Sequence, residues 1–409
     1  MPHSFDPART APLEGVRVLD LSRLVCGNML SLQLADFGAD TVKVEDPGKG
    51  DPLRDWCVEG ISIHWKVYGR NKRSLALDLR ADGGKEALLR LVDNAHVFIE
   101  SFKPGTLEKI GLGPERLLER NPRLVILRVS GFGQTGPYSA RPGFGTLVEA
   151  MSGFAAKTGY ADRAPVLPAT ALADMIAGLQ GAFAVMVALR HAEATGQGQV
   201  IDLSLLEPIL SVCGPDPAIY ALAGRKPQRT GSRSTTTAPR NVYRTRDGRF
   251  VAMSASMQSM AERVFKTIGR PELMEDPRFR TNTDRVANIE VVDGVVQEWM
   301  ERHDQAEILE IMEQAGVTVG PVYEVDQLIE DRHIKEREVL VEMEDEDAGA
   351  VLMHNIIPRL SESPGTFRLP SPRIGEHSLA VLREAGFEED EIEALLARGA
   401  VAAAGEKAA

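Results

Sequence analysis

Cysteine is scarce: the 409 residues hold only three, Cys26, Cys57 and Cys213. They are far apart and odd in number, which excludes a C-x-x-C pair and a closed disulfide framework, so a reducing, cytoplasmic setting is expected. No uninterrupted apolar run reaches the ~18–20 residues of a membrane span, and the opening MPHSFDPARTAPLEG lacks the apolar stretch of a signal peptide. No cluster of Lys and Arg offsets the formal charge of −12, which disfavours a nucleic acid partner. Signatures of metal and cofactor chemistry are missing as well. The first strand–helix turn, LSRLVCGNML, offers only Gly27 where a dinucleotide fingerprint needs three glycines. PGKGD (47–51) lacks Walker spacing and reads as a surface loop. The histidines show no zinc spacing, and no G-x-S-x-G elbow supports a serine nucleophile.

What is present is ordinary globular material, 43% hydrophobic and 26% charged, with length enough for two or three domains. Strand-like stretches at 15–22, 40–45, 96–101 and 123–130 alternate with helix-period stretches at 28–38, 83–95 and near 113–120. That order predicts an α/β fold with a mainly parallel sheet, whose ligands bind beyond the carboxyl ends of the strands. The turns after Ser22, Glu45, Ser101 and Ser130 are the places to look. A six-turn helix follows from Asp174 to about 194, with Gly178, Gly181 and Ala182 forming a small-residue face suited to close approach of another backbone. A turn, a strand and a helix are expected over 196–207. Composition then shifts over 214–240, read as a linker or crossover. A hairpin with Asp247-Gly248 at its turn opens a second unit, followed by helices near 258–269, 284–302 and 304–316. Two helices close the chain, and the acidic EMEDEDAG (342–349) reads as a solvated loop or edge.

Two features carry possible chemistry. ATALADMIAGLQGAF (169–183) holds one ionisable side chain, Asp174, which by local pattern alone suits a helix N-cap. Basic residues gather in YGRNKRSLALDLR (68–80), which suits either a solvated approach to a strand or a cationic rim for a phosphorylated ligand.

Seven stretches in order then resemble the class III CoA-transferases, the CaiB/BaiF family that includes formyl-CoA transferase. They are PLEGVRVLDLSRLVCGNMLSLQLADFGADTVKVEDPGKGDPLR (12–54), NKRSLALDL (71–79), ESFKPGTLEKIGLG (100–113), VSGFGQTGPYSARPGFG (129–145), LADMIAG (172–178), RHAEATGQGQVIDLSLLE (190–207) and RIGEHSLAVLREAG (373–386). The resemblance covers about residues 12–400. It implies a large Rossmann-like α/β domain with a mainly parallel sheet, a smaller α+β domain, and an interlocked homodimer. The expected boundaries are 1–213 for the first part of the large domain, 214–240 for the linker, 241–325 for the small domain, and 326–409 for the return linker and the completing part.

By this resemblance Asp174 is the nucleophile of an acyl-CoA:carboxylate CoA-transferase (EC 2.8.3.-), working through a mixed anhydride and an aspartyl-CoA thioester. Its place at a helix start is expected to favour the ionised form. The implied CoA contacts fall on Val25, Cys26, Leu77, Asp78, Leu79, Arg80, Ser101, Phe102, Lys103, Lys109 and Arg141. Lys109 stands where the family often has Arg, and Asp46 where some members have Arg. Gly143-Phe144-Gly145 replaces the frequent G-Y-D, which places Phe144 and Gly145 at the acyl site without a carboxylate. Formyl-CoA transferase's glycine-rich loop has no counterpart, which argues against an oxalate enzyme. In its region Arg240 or Arg233 could meet the distal carboxylate of an acid such as succinate, or be a solvated linker arginine. The implied partners are an acyl-CoA, a small carboxylic acid and a second copy of the chain. CoA enters as part of the substrate, with no metal or permanently bound cofactor. Two alternatives stand beside this: proton transfer of the α-methylacyl-CoA racemase kind, against which Phe144 occupies the place of the required His, and a CoA-binding protein without turnover.

Overall fold

The computed structural model describes residues 2–404. The chain forms two compact units, one made of Met1–Phe154, Leu167–Pro215 and Glu338–Ala409, the other of Ala155–Val166 and Asp216–Arg337.

The larger unit is built on a seven-stranded sheet. Its strands are β1 (Arg17–Asp20), β2 (Asp40–Glu45), β3 (Lys72–Leu77), β4 (Val97–Glu100), β5 (Val125–Ser130), β6 (Gln199–Ser204) and the C-terminal strand Val401–Ala402. The order across the sheet is C-terminal strand, β3, β2, β1, β4, β5, β6, with every pairing parallel except that of the C-terminal strand on β3. Successive residues supply opposite faces, as a sheet covered on both sides requires. Leu19, Phe98 and Ile126 face a core shared with the helices Gly84–Val92, Pro114–Arg120, Ser378–Glu384 and Glu389–Ala397. Val18, Val97, Ile99, Val125 and Leu127 face the first helix (Leu24–Asp36) and the Asp174 helix (Leu172–Thr195). Strand order runs away from β1 in one direction and from β4 in the other, so the crevice of this α/β sheet lies beyond the ends of β1 and β4.

The small-residue face of the Asp174 helix does what the sequence suggests. A Cβ on Gly178 would lie 2.9 Å from the Cys26 carbonyl oxygen, and one on Gly181 would overlap Leu30. The two helices therefore touch at their backbones, which fixes the start of each against the other. By length and composition the Asp174 helix could cross a membrane, the one such helix among the described residues. In this fold its Ala173, Ala177, Val185 and Leu189 are buried in the core of the larger unit.

One expectation fails in part. Of the basic residues in 68–80 only Arg80 is exposed, with 79% of its side chain accessible; the others are internal. Arg70 is fully buried and paired with Asp36 at 2.7 Å, Lys72 is fully buried against Asn28, and Arg73 pairs with Asp40 at 2.8 Å. EMEDEDAG is a solvated edge, as expected: β7 (Leu340–Asp345) pairs antiparallel with β8 (Gly349–His354) in a two-stranded sheet, burying Val341 and Met343 while Glu342 and Glu344 face outward.

The smaller unit has an antiparallel sheet of Arg240–Arg244, Phe250–Ser254 and Val319–Pro321, the first two forming the expected hairpin with Gly248 at φ +79°. Tyr243, Val251, Phe265, Val296 and Ile308 make its core with the helices Gln258–Thr267, Ile289–Met300 and Gln305–Gln314. Within the stretch read as a linker, Asp216–Ala223 is a helix.

Candidate active site

The segment after β1 is held in an unusual shape. Leu24 opens the first helix with a left-handed backbone, φ +62°, a conformation that costs a non-glycine residue about 1–2 kcal/mol. Asp51 supports it. Its Oδ1 accepts from the Leu24 N–H at 3.0 Å and the Leu53 N–H at 2.9 Å, while its Oδ2 accepts from Asn28 at 2.8 Å and pairs with Lys43 at 2.9 Å. Burial opposes its ionisation, but Lys43 and these N–H groups hold its carboxyl down at about 2. Lys43 also lies 3.4 Å from Asp20, and Lys72 donates to Asn28 Oδ1 at 2.9 Å. This wholly buried network of opposite charges locks the first turn of the first helix. Asp51, expected on a surface loop, is 1% exposed.

That turn aims a backbone N–H at Asp174. The N–H groups of Cys26 and of Asp174 itself favour the ionised Asp174 carboxyl. Asp174 is not the helix cap; Ala171 is, and it has no capping side chain. The capping acceptor comes from another helix (Gly145–Met151): Glu149 Oε1 accepts from the Ala173 N–H at 3.0 Å, and Glu149 is 3% exposed. One turn before Glu149, a Cβ on Gly145 would overlap Asp174 Oδ2, so only glycine lets this helix approach.

The electrostatic outcome corrects an expectation. The helix start does not dominate the Asp174 carboxyl. Burial, then the neighbouring Glu149 charge, push it from 3.8 up to about 6, against the two donated hydrogen bonds. The group is still mostly ionised at neutral pH, but as a poorly solvated carboxylate. Beside it Cys26 is pushed well above its ordinary value by burial, Asp174 and Asp20. It is a buried thiol kept from its reactive thiolate form.

Asp174 opens into a cavity of about 570 Å³ lined by Leu24, Val25, Trp56, Phe144, Gly145, Glu149 and the 167–171 segment, among others. Asp174 and Glu149 are the ionisable side chains in that lining. Among the described residues no Lys, Arg or His lines it to exchange a proton at a substrate carbon, and Phe144, in the lining, is 62% exposed.

Several of the other expected residues lie where parallel strands end. Leu77 ends β3, and Asp78, Leu79 and Arg80 follow it. Arg80 bridges Asp46 and Asp78, each at 3.1 Å, so Asp46 draws a cation to the position where it replaces one. Ser101, Phe102 and Lys103 follow β4, and Ser101 Oγ accepts from the Arg23 N–H at 3.0 Å, tying the turns after β4 and β1 together across the crevice. Lys103 and Lys109 are exposed. Arg141 lies 3.7 Å over the Tyr138 ring. In the smaller unit Arg233 is committed to Asp293 at 2.7 Å, whereas Arg240 donates to the Ser232 carbonyl and lines a recess of that unit. Sequence reasoning missed Asp51, Trp56 and Glu149. The first had a signal in the acid that closes PGKGD, while Glu149 had none beyond its spacing from Gly145.

An aspartate on a helix start, beyond the carboxyl edge of a parallel sheet, now has a family context. The sequence pattern of CoA-transferase family III matches residues 13–378. The chain belongs to that family. Among its relatives, the succinyl-CoA–D-citramalate CoA-transferase of Chloroflexus aurantiacus is 37% identical, covering 95% of this chain and 97% of its own. The succinate–glutarate CoA-transferase of Agrobacterium fabrum is 34% identical, covering 92% and 96%. A crystal structure of a CaiB/BaiF family protein from Brucella suis superposes with a TM-score of 0.83 at 32% identity, over 92% of this chain and all of that one. This member of CoA-transferase family III is an enzyme of the CoA-transferase class.

Proposed function

We propose that the enzyme moves CoA from succinyl-CoA to a second free carboxylate through covalent intermediates on Asp174. The observation that carries this reading is a half-buried carboxylate facing a cavity whose wall offers no proton-exchanging base or acid besides Glu149. The chemistry needs none. Asp174 attacks the thioester carbonyl, the C–S bond breaks, and a mixed anhydride and CoA thiolate form. The thiolate attacks the aspartyl carbonyl, releasing succinate and leaving an aspartyl-CoA thioester. The acceptor carboxylate attacks that thioester, CoA thiolate leaves again and takes the acyl group from the second anhydride, and Asp174 returns as a carboxylate. Every step exchanges one anionic nucleophile for one anionic leaving group, so no net proton moves. The Cys26 N–H, which favours the charged form of the Asp174 carboxyl, supports a role in stabilising oxyanions formed at the aspartyl carbonyl. Succinyl-CoA as the donor is supported by relatives, matched over more than nine tenths of this chain, that are named for it. Lys103, Lys109, Arg80 and Arg141 supply cations for the CoA phosphates at the strand ends, with Val25 and Cys26 against the thioester.

The partner is a second copy of the chain, interlocked with the first. Leu179, Phe183 and Val187 lie exposed on the Asp174 helix, Phe183 at 69%, an apolar stripe of the kind that monomers rarely leave open. Sedimentation should give twice the chain mass, and a monomer at working concentration would contradict this part. The reaction is tested by chromatographic assay of CoA exchange between succinyl-CoA and a panel of carboxylates. Transfer abolished in Asp174→Ala supports the reading; α-proton exchange without transfer would replace it with racemase chemistry.

A further inference from the structure

We propose that Glu149 is a positioning residue for Asp174: it holds the first turn of the nucleophile's helix and sets a negative charge beside it that favours the aspartyl-CoA thioester over the free carboxylate. This rests on the proposed aspartyl chemistry and adds a second carboxylate to it. Three observations support it. Gly145 and Glu149 are four residues apart and so share one face of their helix, and the Gly145 position touches Asp174 Oδ2. Glu149 Oε1 accepts from the N–H of Ala173, the residue before the nucleophile, at 3.0 Å. Glu149 is buried, lines the same cavity, and has no cationic partner among the described residues.

An unpaired buried carboxylate next to a second one is costly, and proteins keep such pairs where the cost has a use. Here the repulsion falls on the free Asp174 carboxylate and is absent at the aspartyl-CoA thioester once the released acid has left, because the thioester group carries no charge. Protonation removes the same charge, which is why the Glu149 contribution also raises the Asp174 carboxyl. The other titratable group at Asp174 is the Cys26 thiol of the first helix, held protonated by burial, Asp174 and Asp20. The 167–173 segment brings no charged side chain.

The test compares wild type with Glu149→Gln, which keeps an oxygen for the Ala173 N–H and removes the charge. With succinyl-CoA and succinate in fixed ratio, the fraction of enzyme carrying covalent CoA should fall roughly tenfold, and the acid limb of the kcat profile should move about one unit lower. Glu149→Asp keeps the charge and gives up the bond to Ala173; it should hold the acid limb in place while lowering kcat. A wild-type adduct fraction and acid limb in Glu149→Gln overturn the proposal and leave the Asp174 reading intact. An acid limb that moves equally in Glu149→Asp overturns the electrostatic part. Absence of any Asp174 adduct in wild type overturns both.

Discussion

Replacing Asp174 by Asn should make the protein more stable at neutral pH. The perturbation removes a charge and almost no volume. In the folded chain burial and Glu149 push the Asp174 carboxyl from 3.8 up to about 6, so the native state binds this proton more tightly than the unfolded state does. The corresponding stability is fully present below the unfolded value of 3.8, is lost as pH rises toward 6, and stays lost above it. A rise of roughly two units is worth about 3 kcal/mol. The stability advantage of Asp174→Asn over wild type should therefore grow by up to about 3 kcal/mol between pH ~4 and pH ~7.5, equivalent to a Tm difference that widens by roughly 5 °C. Calorimetric scans of both proteins across that range measure it. An advantage that does not change with pH, or a wild type that gains on the variant as pH rises, refutes the conclusion that the fold holds this carboxylate at a cost.

Two further substitutions test the geometry. Gly145→Ala places a methyl group on Asp174 Oδ2; steady-state kinetics should show kcat falling by about a hundredfold with the melting transition retained, and unchanged kcat would mean that Asp174 need not stay where it is. Arg70→Ala leaves Asp36 buried without its partner; urea unfolding at neutral pH should show a loss of about 3–5 kcal/mol, and a loss below about 1 kcal/mol would return this arginine to a surface role.

The alternation of strands and helices was legible because the sheet is covered on both faces, and covered strands read as short apolar runs. Those runs also located the strand ends where Val25, Ser101 and Lys103 stand. Asp174 stands in a recognisable series of motifs, while its local pattern suggests only a cap. What stayed hidden depends on partners far away in the chain. Arg70 meets Asp36 across 34 residues and Arg73 meets Glu384 across 311, so a basic cluster in sequence became an internal set of ion pairs. The same holds for Asp51 and Lys43 beneath the Leu24 turn. Over 340–345 the buried Val341 and Met343 alternate with Glu342 and Glu344, the period-two pattern of a strand with one solvated face. Glu149 escaped because a buried acid on a short amphipathic helix looks like any solvated one until its neighbours are known.

The most direct measurement is mass spectrometry of the enzyme incubated with succinyl-CoA and no acceptor, quenched in acid and digested. Aspartyl thioester chemistry requires CoA covalently attached to the peptide that contains Asp174, and none in Asp174→Ala. Transfer activity with no adduct on that peptide, or an adduct carried by a different residue, would contradict it.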